Sequence, residues 1–383
     1  MLHGVRIENG KGLWYRNRYI HTDQYAAAGD DGNIAPTGGN NSSNVSAVYH
    51  GGKLLTSGEV GLPFEINVSD LSTVGVTNFD DHIKTSFTAH PKIDPLTGNM
   101  HFFGYWFVDP YLTYHVADPT GKVIHTEVIP VEKPTMVHSF AITDQDVVFW
   151  ECPVVFDINA AISGASNPFV WQPDYGARIG IMPLGGSASQ IRWKEIEPCY
   201  VFHEVNAFRQ GDDVIVDLCR YDSMFEGGVS IGGSGGNALS RWTIGTGGNE
   251  LSFSEQVISR ASMELPSHDR RFSGRKHQSG WLVNMRDNEN TVDFAGITHV
   301  NFDSGKISSW DPGLNNHANE AFFVPGGEAE GEGWLLTYVY NHVSDKSYLA
   351  ILDAQDVESG PVGSIEMPQR VPFGFHGVWV PNS

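Results

Sequence analysis

Cysteine is nearly missing from this chain. Its 383 residues hold three, Cys152, Cys199 and Cys219, without CxxC spacing. An odd trio of that kind excludes a disulfide framework and a thiolate metal site, and fits a reducing, cytoplasmic compartment. Positive charge is scarce as well: 24 Lys and Arg face 45 Asp and Glu, a net charge of −21. Phosphate binding needs a basic surface, so no nucleic-acid partner is expected. The same balance excludes broad electrostatic attachment to anionic lipid, but not a small apolar membrane patch. No run of 18 apolar residues occurs, so no transmembrane helix is expected, and no signal peptide is visible. The HExxH zinc signature is absent. The glycine-rich stretch GGVSIGGSGGN lacks the Lys-Ser/Thr pair and the following helix of a phosphate loop, and reads as a surface loop.

What the chain does have is strands. Its 43 glycines and 20 prolines punctuate one short apolar run after another with almost no helical periodicity. Short helices fit only near 22–28 and within 157–170. The clearest unit is 199–221, CYVFHEVNAFRQGDDVIVDLCRY, a hairpin with its turn at Arg209 to Asp213. Inside its first strand stands His203, which packing alone does not call for. MVHSFAITDQDVVFW repeats the arrangement with His138, FTAHPKIDPLTGNMHFF does so more loosely with His90, and FGFHGVWV carries His376. One such histidine reads as a hydrogen-bonded core residue; four in one setting read as ligands, because imidazole is the commonest metal ligand. Their separations are 48, 65 and 173 residues. A propeller blade takes roughly 40–50 residues, so the gaps correspond to about one, somewhat over one, and three to four blades. Inner strands of a propeller converge on an axis where histidines distant in sequence can meet. A sandwich offers no such axis. A glycoside-acting propeller would place acids, not histidines, at the strand starts. The remaining twelve histidines read as turn, loop or ordinary strand residues, and the basic cluster RRFSGRK as a solvated strand edge.

The motifs TAHPK, HSFAIT, FHEVNA and the terminal FHG, together with GLPFE, CPVVFD, ARIGIMP, ELPSHDRR and NEAFFVP, resemble the carotenoid cleavage oxygenase family almost end to end. That resemblance implies an all-β, seven-bladed β-propeller as a single domain over 1–383. It implies Fe(II) on the axis, held by His90, His138, His203 and His376, with Glu59, Glu264 and Glu320 as carboxylate partners of the ligating rings. The implied reaction is cleavage of a conjugated C=C bond of a hydrophobic carotenoid or apocarotenoid by O₂, with peripheral membrane contact for substrate uptake. Alternatives are a stilbene-cleaving or isomerohydrolase member of the family, or an inactive propeller that only binds. Stilbene cleavage is less favoured, because those enzymes resemble one another in a lysine before the first of these glutamates, where Gly58 stands here. The chain opens within a hairpin, MLHGVRIENGKGLWYRNRYI, whereas relatives begin with further segments that supply propeller strands. The expectation is therefore of a truncated chain with one incomplete, poorly closed blade.

Overall fold

The structure is a computed structural model and describes residues 1–27, 42–165, 167–226, 237–286 and 293–381. Most of the glycine-rich stretch read as a surface loop lies outside the described residues. Strands dominate, and each pairs antiparallel with its neighbours in a simple meander. Six sheets of four or five strands follow in chain order. We call them blades I (46–76), II (92–128), III (141–196), IV (200–259), V (263–310) and VI (316–366). Blade III carries an inserted hairpin, Val154–Phe156 with Phe169–Trp171. The connection within it holds a one-turn helix, Ile158–Ile162, capped where the Asp157 carboxylate accepts from the backbone N–H groups of Asn159 and Ala160. A second short α-helix is Asp23–Ala27.

The expectation of seven blades is not met. Among the described residues six sheets reach blade size, and the first two strands, Leu2–Glu8 and Lys11–Arg18, pair only with each other. This two-stranded hairpin sits between blades VI and I. Val5, Ile7 and Tyr15 pack against Leu349, Met367 and Val371 of the last blade and its exit, while Leu2 joins Leu54, Phe64 and Leu71 of the first. Apolar burial at both faces is enough to hold a hairpin there without a full sheet. The histidine spacings did not distinguish the two counts. The 173-residue gap spans three blades, and the 65-residue gap is one blade lengthened by the inserted hairpin.

Between blades the sheets meet face to face over apolar side chains. Blades II, III and IV share the largest cluster, in which Phe103, Tyr114, Phe149, Trp150 and Trp242 are all but inaccessible to solvent. Between blades V and VI, Trp281 stacks on Phe323 at 4.9 Å between ring centroids. The expected hairpin at 199–221 forms with a tighter turn than the sequence indicated. Tyr200–Gln210 and Asp213–Tyr221 are joined by Gly211 and Asp212 alone, and Gly211 takes φ +63°, which a glycine adopts at little cost.

Candidate metal centre

Three blades and the segment after the last bring the proposed ligands to one point. His90 lies just before Lys92–Ile93 at the start of blade II, and His138 just before Ala141–Ile142 of blade III. His203 belongs to the inner strand of blade IV, Tyr200–Gln210. His376 arrives from the segment after blade VI, where its backbone N–H donates to the Val45 carbonyl beside blade I. One ring nitrogen of each lies within 4.8 Å of the others. His90 Nε2 and His138 Nε2 are 3.0 Å apart, and His138 Nε2 and His203 Nε2 are 3.2 Å apart.

The glutamates come from the other blades. Glu59 follows the strand Lys53–Ser57 of blade I, Glu264 lies in Met263–Ser267 of blade V, and Glu320 precedes Phe322–Pro325 of blade VI. Each faces one histidine with one carboxylate oxygen and is anchored by the other. His203 Nδ1 donates to Glu264 Oε2 over 2.6 Å, and His376 Nδ1 donates to Glu320 Oε1 over 2.9 Å. Glu59 Oε2 lies 2.6 Å from His138 Nδ1, close but off the N–H axis. The anchoring donors are the Tyr105 hydroxyl to Glu59 (2.9 Å), the Tyr221 hydroxyl to Glu264 (3.1 Å) and the Gly377 N–H to Glu320 (2.7 Å). Leu265 N–H also reaches Glu264 Oε2 at 2.7 Å, with Leu265 held at φ +49°. A leucine in that left-handed region is strained by roughly 1–2 kcal/mol, which the buried hydrogen bond offsets.

Electrostatics fix the protonation pattern. Burial, then repulsion from the neighbouring histidines, holds His90 and His203 well below the ordinary imidazole value, so both rings are neutral. Burial, reinforced by the nearby carboxylates, raises the Tyr105 and Tyr221 hydroxyls well above the usual phenol range, which keeps both as donors. Glu264 is pushed up to about 7 by burial, against the pull of the Leu265 N–H and the Tyr221 hydroxyl.

This donor set fits a metal ion. A ring whose Nδ1–H is given to a carboxylate carries a bare lone pair on Nε2. For His203 and His376 that lone pair is turned toward the cluster, and His138 is set up in the same way. Neutral imidazoles packed lone pair to lone pair at about 3 Å repel one another unless a cation lies between them. Carboxylate support on the far ring nitrogen is the usual setting of a metal-ligating histidine. None of the other twelve histidines joins the cluster among the described residues. Several bond elsewhere, as His101 does to Tyr114 and His125 to the Gly186 carbonyl. The basic cluster is a turn rather than a strand edge: Arg271 is held by Asp269, and Arg270 lies over the Phe322 ring.

Sequence reasoning missed several residues of this region. Tyr105 and Tyr221 are separated from the glutamates they anchor by 46 and 43 positions, and nothing local marks them. Lys92, Ser139 and Glu204, by contrast, sit inside the ligand motifs themselves. The signal was available for Glu204, a carboxylate within an otherwise apolar strand, where it must have a partner.

Fold and site together define a β-propeller whose inner edges converge on a cluster of four histidines that could hold a metal, with three carboxylates beside them. The family profile described as retinal pigment epithelial membrane protein matches residues 1–381. The chain is 31% identical to carotenoid 9,10(9',10')-cleavage dioxygenase 1 of Arabidopsis thaliana, over 99% of this chain and 79% of that one. It is 32% identical to a carotenoid cleavage oxygenase of Mycobacterium tuberculosis, over 100% and 87%. The crystal structure of Pseudomonas brassicacearum lignostilbene dioxygenase superposes with a TM-score of 0.91 at 28% identity, covering 99% of this chain and 86% of that one. The chain belongs to the carotenoid cleavage oxygenase family.

Proposed function

We propose that this protein is a non-haem Fe(II) dioxygenase that cleaves a conjugated C=C bond of a carotenoid or apocarotenoid with O₂. The observation that carries the reading is the convergence of four imidazoles, at least three with a carboxylate at Nδ1, on one point of the propeller. In this reading His90, His138, His203 and His376 hold the iron, and Glu59, Glu264 and Glu320 orient the rings. When bound, ferrous iron held by these four histidines would supply a centre able to activate O₂ beside an alkene, with a donor set unlike the two-histidine, one-carboxylate sites of many iron oxygenases. Four neutral ligands leave the metal its full positive charge, which favours the ferrous state. The overall change, C=C plus O₂ giving two carbonyls, moves no proton. The protein therefore needs no separate acid or base; its residues hold, orient and exclude water.

The carotenoid-cleaving relatives support a polyene substrate. Such a molecule resides in lipid, so the reading extends to peripheral membrane contact for uptake; among the described residues no helix is long and apolar enough to cross a membrane. The likeness to a lignostilbene dioxygenase keeps stilbenes as the second substrate class. The test is incubation of the iron-loaded protein with carotenoids, apocarotenals and stilbenes, with and without O₂, followed by product masses. Two carbonyl products from a polyene, formed only with O₂, are expected. The same products without O₂ would point to isomerisation or hydrolysis, and an iron-free, inert protein to a binding module.

A further inference from the structure

Three of the four histidines come from consecutive blades, and each is followed by a polar side chain, two of which converge on the third, Glu204. Lys92 stands two residues after His90, Ser139 one after His138 and Glu204 one after His203. Lys92 Nζ pairs with Glu204 Oε1, and the Ser139 hydroxyl donates to Glu204 Oε2 over 2.7 Å. Ser139 is fully buried and Glu204 nearly so. The Lys92 ammonium lies 5.9 Å from the centroid of the Phe140 ring. Along the inner strand of blade IV the pairing register shifts on both sides of Glu204. Such bulges re-aim side chains next to functional sites, and here they break the alternation of faces where His203 and Glu204 follow one another. Lys92 is two residues from His90, and its partner Glu204 is next to His203, which places the pair beside the ligands.

Withdrawing a glutamate and most of a lysine from water is costly unless each charge is matched. A strand that only had to pack would carry apolar residues there. Resting on the metal reading above, we infer that Lys92, Glu204 and Ser139 form a positioning brace across blades II, III and IV. It fixes the mutual spacing of His90, His138 and His203 and keeps the added charge beside the metal at zero. The two charged members then act on the metal with opposite signs. Without Glu204 the ammonium is left uncompensated and opposes a dication. Without Lys92 the carboxylate is left uncompensated and attracts one.

The experiment is chelator competition on the full chain under anaerobic conditions with Fe(II), and with Co(II) as a probe that does not change oxidation state. It is paired with the Fe(III)/Fe(II) midpoint potential and with thermal unfolding of each metal-free protein. Glu204→Gln should weaken metal binding by about 10-fold and raise the potential. Lys92→Met should bind at least as tightly as the parent and lower the potential. The double variant should return toward the parent in both, and Ser139→Ala should weaken binding by a few fold. Equal weakening by both single variants, with further loss in the double, would reduce the pair to ordinary packing and overturn the brace, as would single variants indistinguishable from the parent. A parent protein that takes up neither metal would overturn the metal reading, and the brace with it.

Discussion

At the residue scale the centre is a division of labour between rings that present lone pairs and carboxylates that fix them. Replacing His90, His138, His203 or His376 by Ala should abolish iron binding, read as metal content per chain. Glu59→Gln, Glu264→Gln and Glu320→Gln should instead weaken iron affinity by roughly 10–100-fold. Full iron in two of the histidine variants, or unchanged affinity in all three glutamine variants, would contradict the assignment. The four histidines were legible because each interrupts an apolar strand start, where a lone polar ring is conspicuous. The brace was not, because Lys92 and Ser139 look like ordinary polar punctuation until the blades bring them to Glu204. Two histidines away from the centre set a pH dependence. Burial pulls His101 and His115 down to about 4 in the folded protein, whereas in the unfolded chain they take up protons near pH 6.5. Between those values the unfolded state binds more protons, so stability falls as pH falls through that window, by up to about 1.4 kcal/mol per pH unit for each histidine. Melting temperatures between pH 7 and pH 4 should drop less in a His101→Gln/His115→Gln variant than in the parent. Equal slopes would show that other groups drive the acid transition.

At the element scale the inner strand of blade IV, Tyr200–Gln210, does most to position the site. It carries His203, Glu204 between two shifts of register, and Asn206, whose amide joins blade IV to the turn of blade V. Asn206 Nδ2 donates to the Phe272 and Arg275 carbonyls at 2.9 and 3.0 Å, and its Oδ1 accepts from the Gly274 N–H at 3.0 Å. Removing that amide orphans the buried Gly274 N–H and takes a donor from the part-buried Phe272 and Arg275 carbonyls, so Asn206→Ala should cost about 1–3 kcal/mol, measured by denaturant unfolding. A cost under a few tenths would mean that water replaces the amide. The hairpin containing this strand was readable from turn residues flanked by apolar runs. Its bulges were not, because an extra residue in a ladder leaves no mark in a pattern of alternation that is already apolar on both faces. The hairpin inserted in blade III escaped for a related reason: Val154–Phe156 reads as one more strand, and only its pairing shows that it stands outside the blade.

At the scale of the whole molecule the propeller class was legible and the blade count was not. Count depends on which hairpins grow into full sheets, and that is decided by partners far along the chain. The hairpin at 2–18 remains two-stranded between blades VI and I. It borders a cavity of about 670 Å³ that is lined by Leu2, Val5, Trp14, Phe322 and Trp379 and reaches Glu320 and His376. Even so, His376 is brought to the other three ligands, with its Nδ1 on Glu320 and its backbone on Val45. The architecture therefore serves the centre from every blade: histidines from II, III and IV and from the C-terminal segment, carboxylates from I, V and VI. All of this serves the proposed chemistry only if both atoms of one O₂ enter the products. The most direct measurement is a single-turnover incubation of the Fe(II)-loaded protein with an apocarotenoid under ¹⁸O₂, with immediate mass analysis of both fragments. One labelled oxygen in each carbonyl product is the predicted result; label in one fragment only, or in neither, would contradict dioxygenase cleavage at this centre.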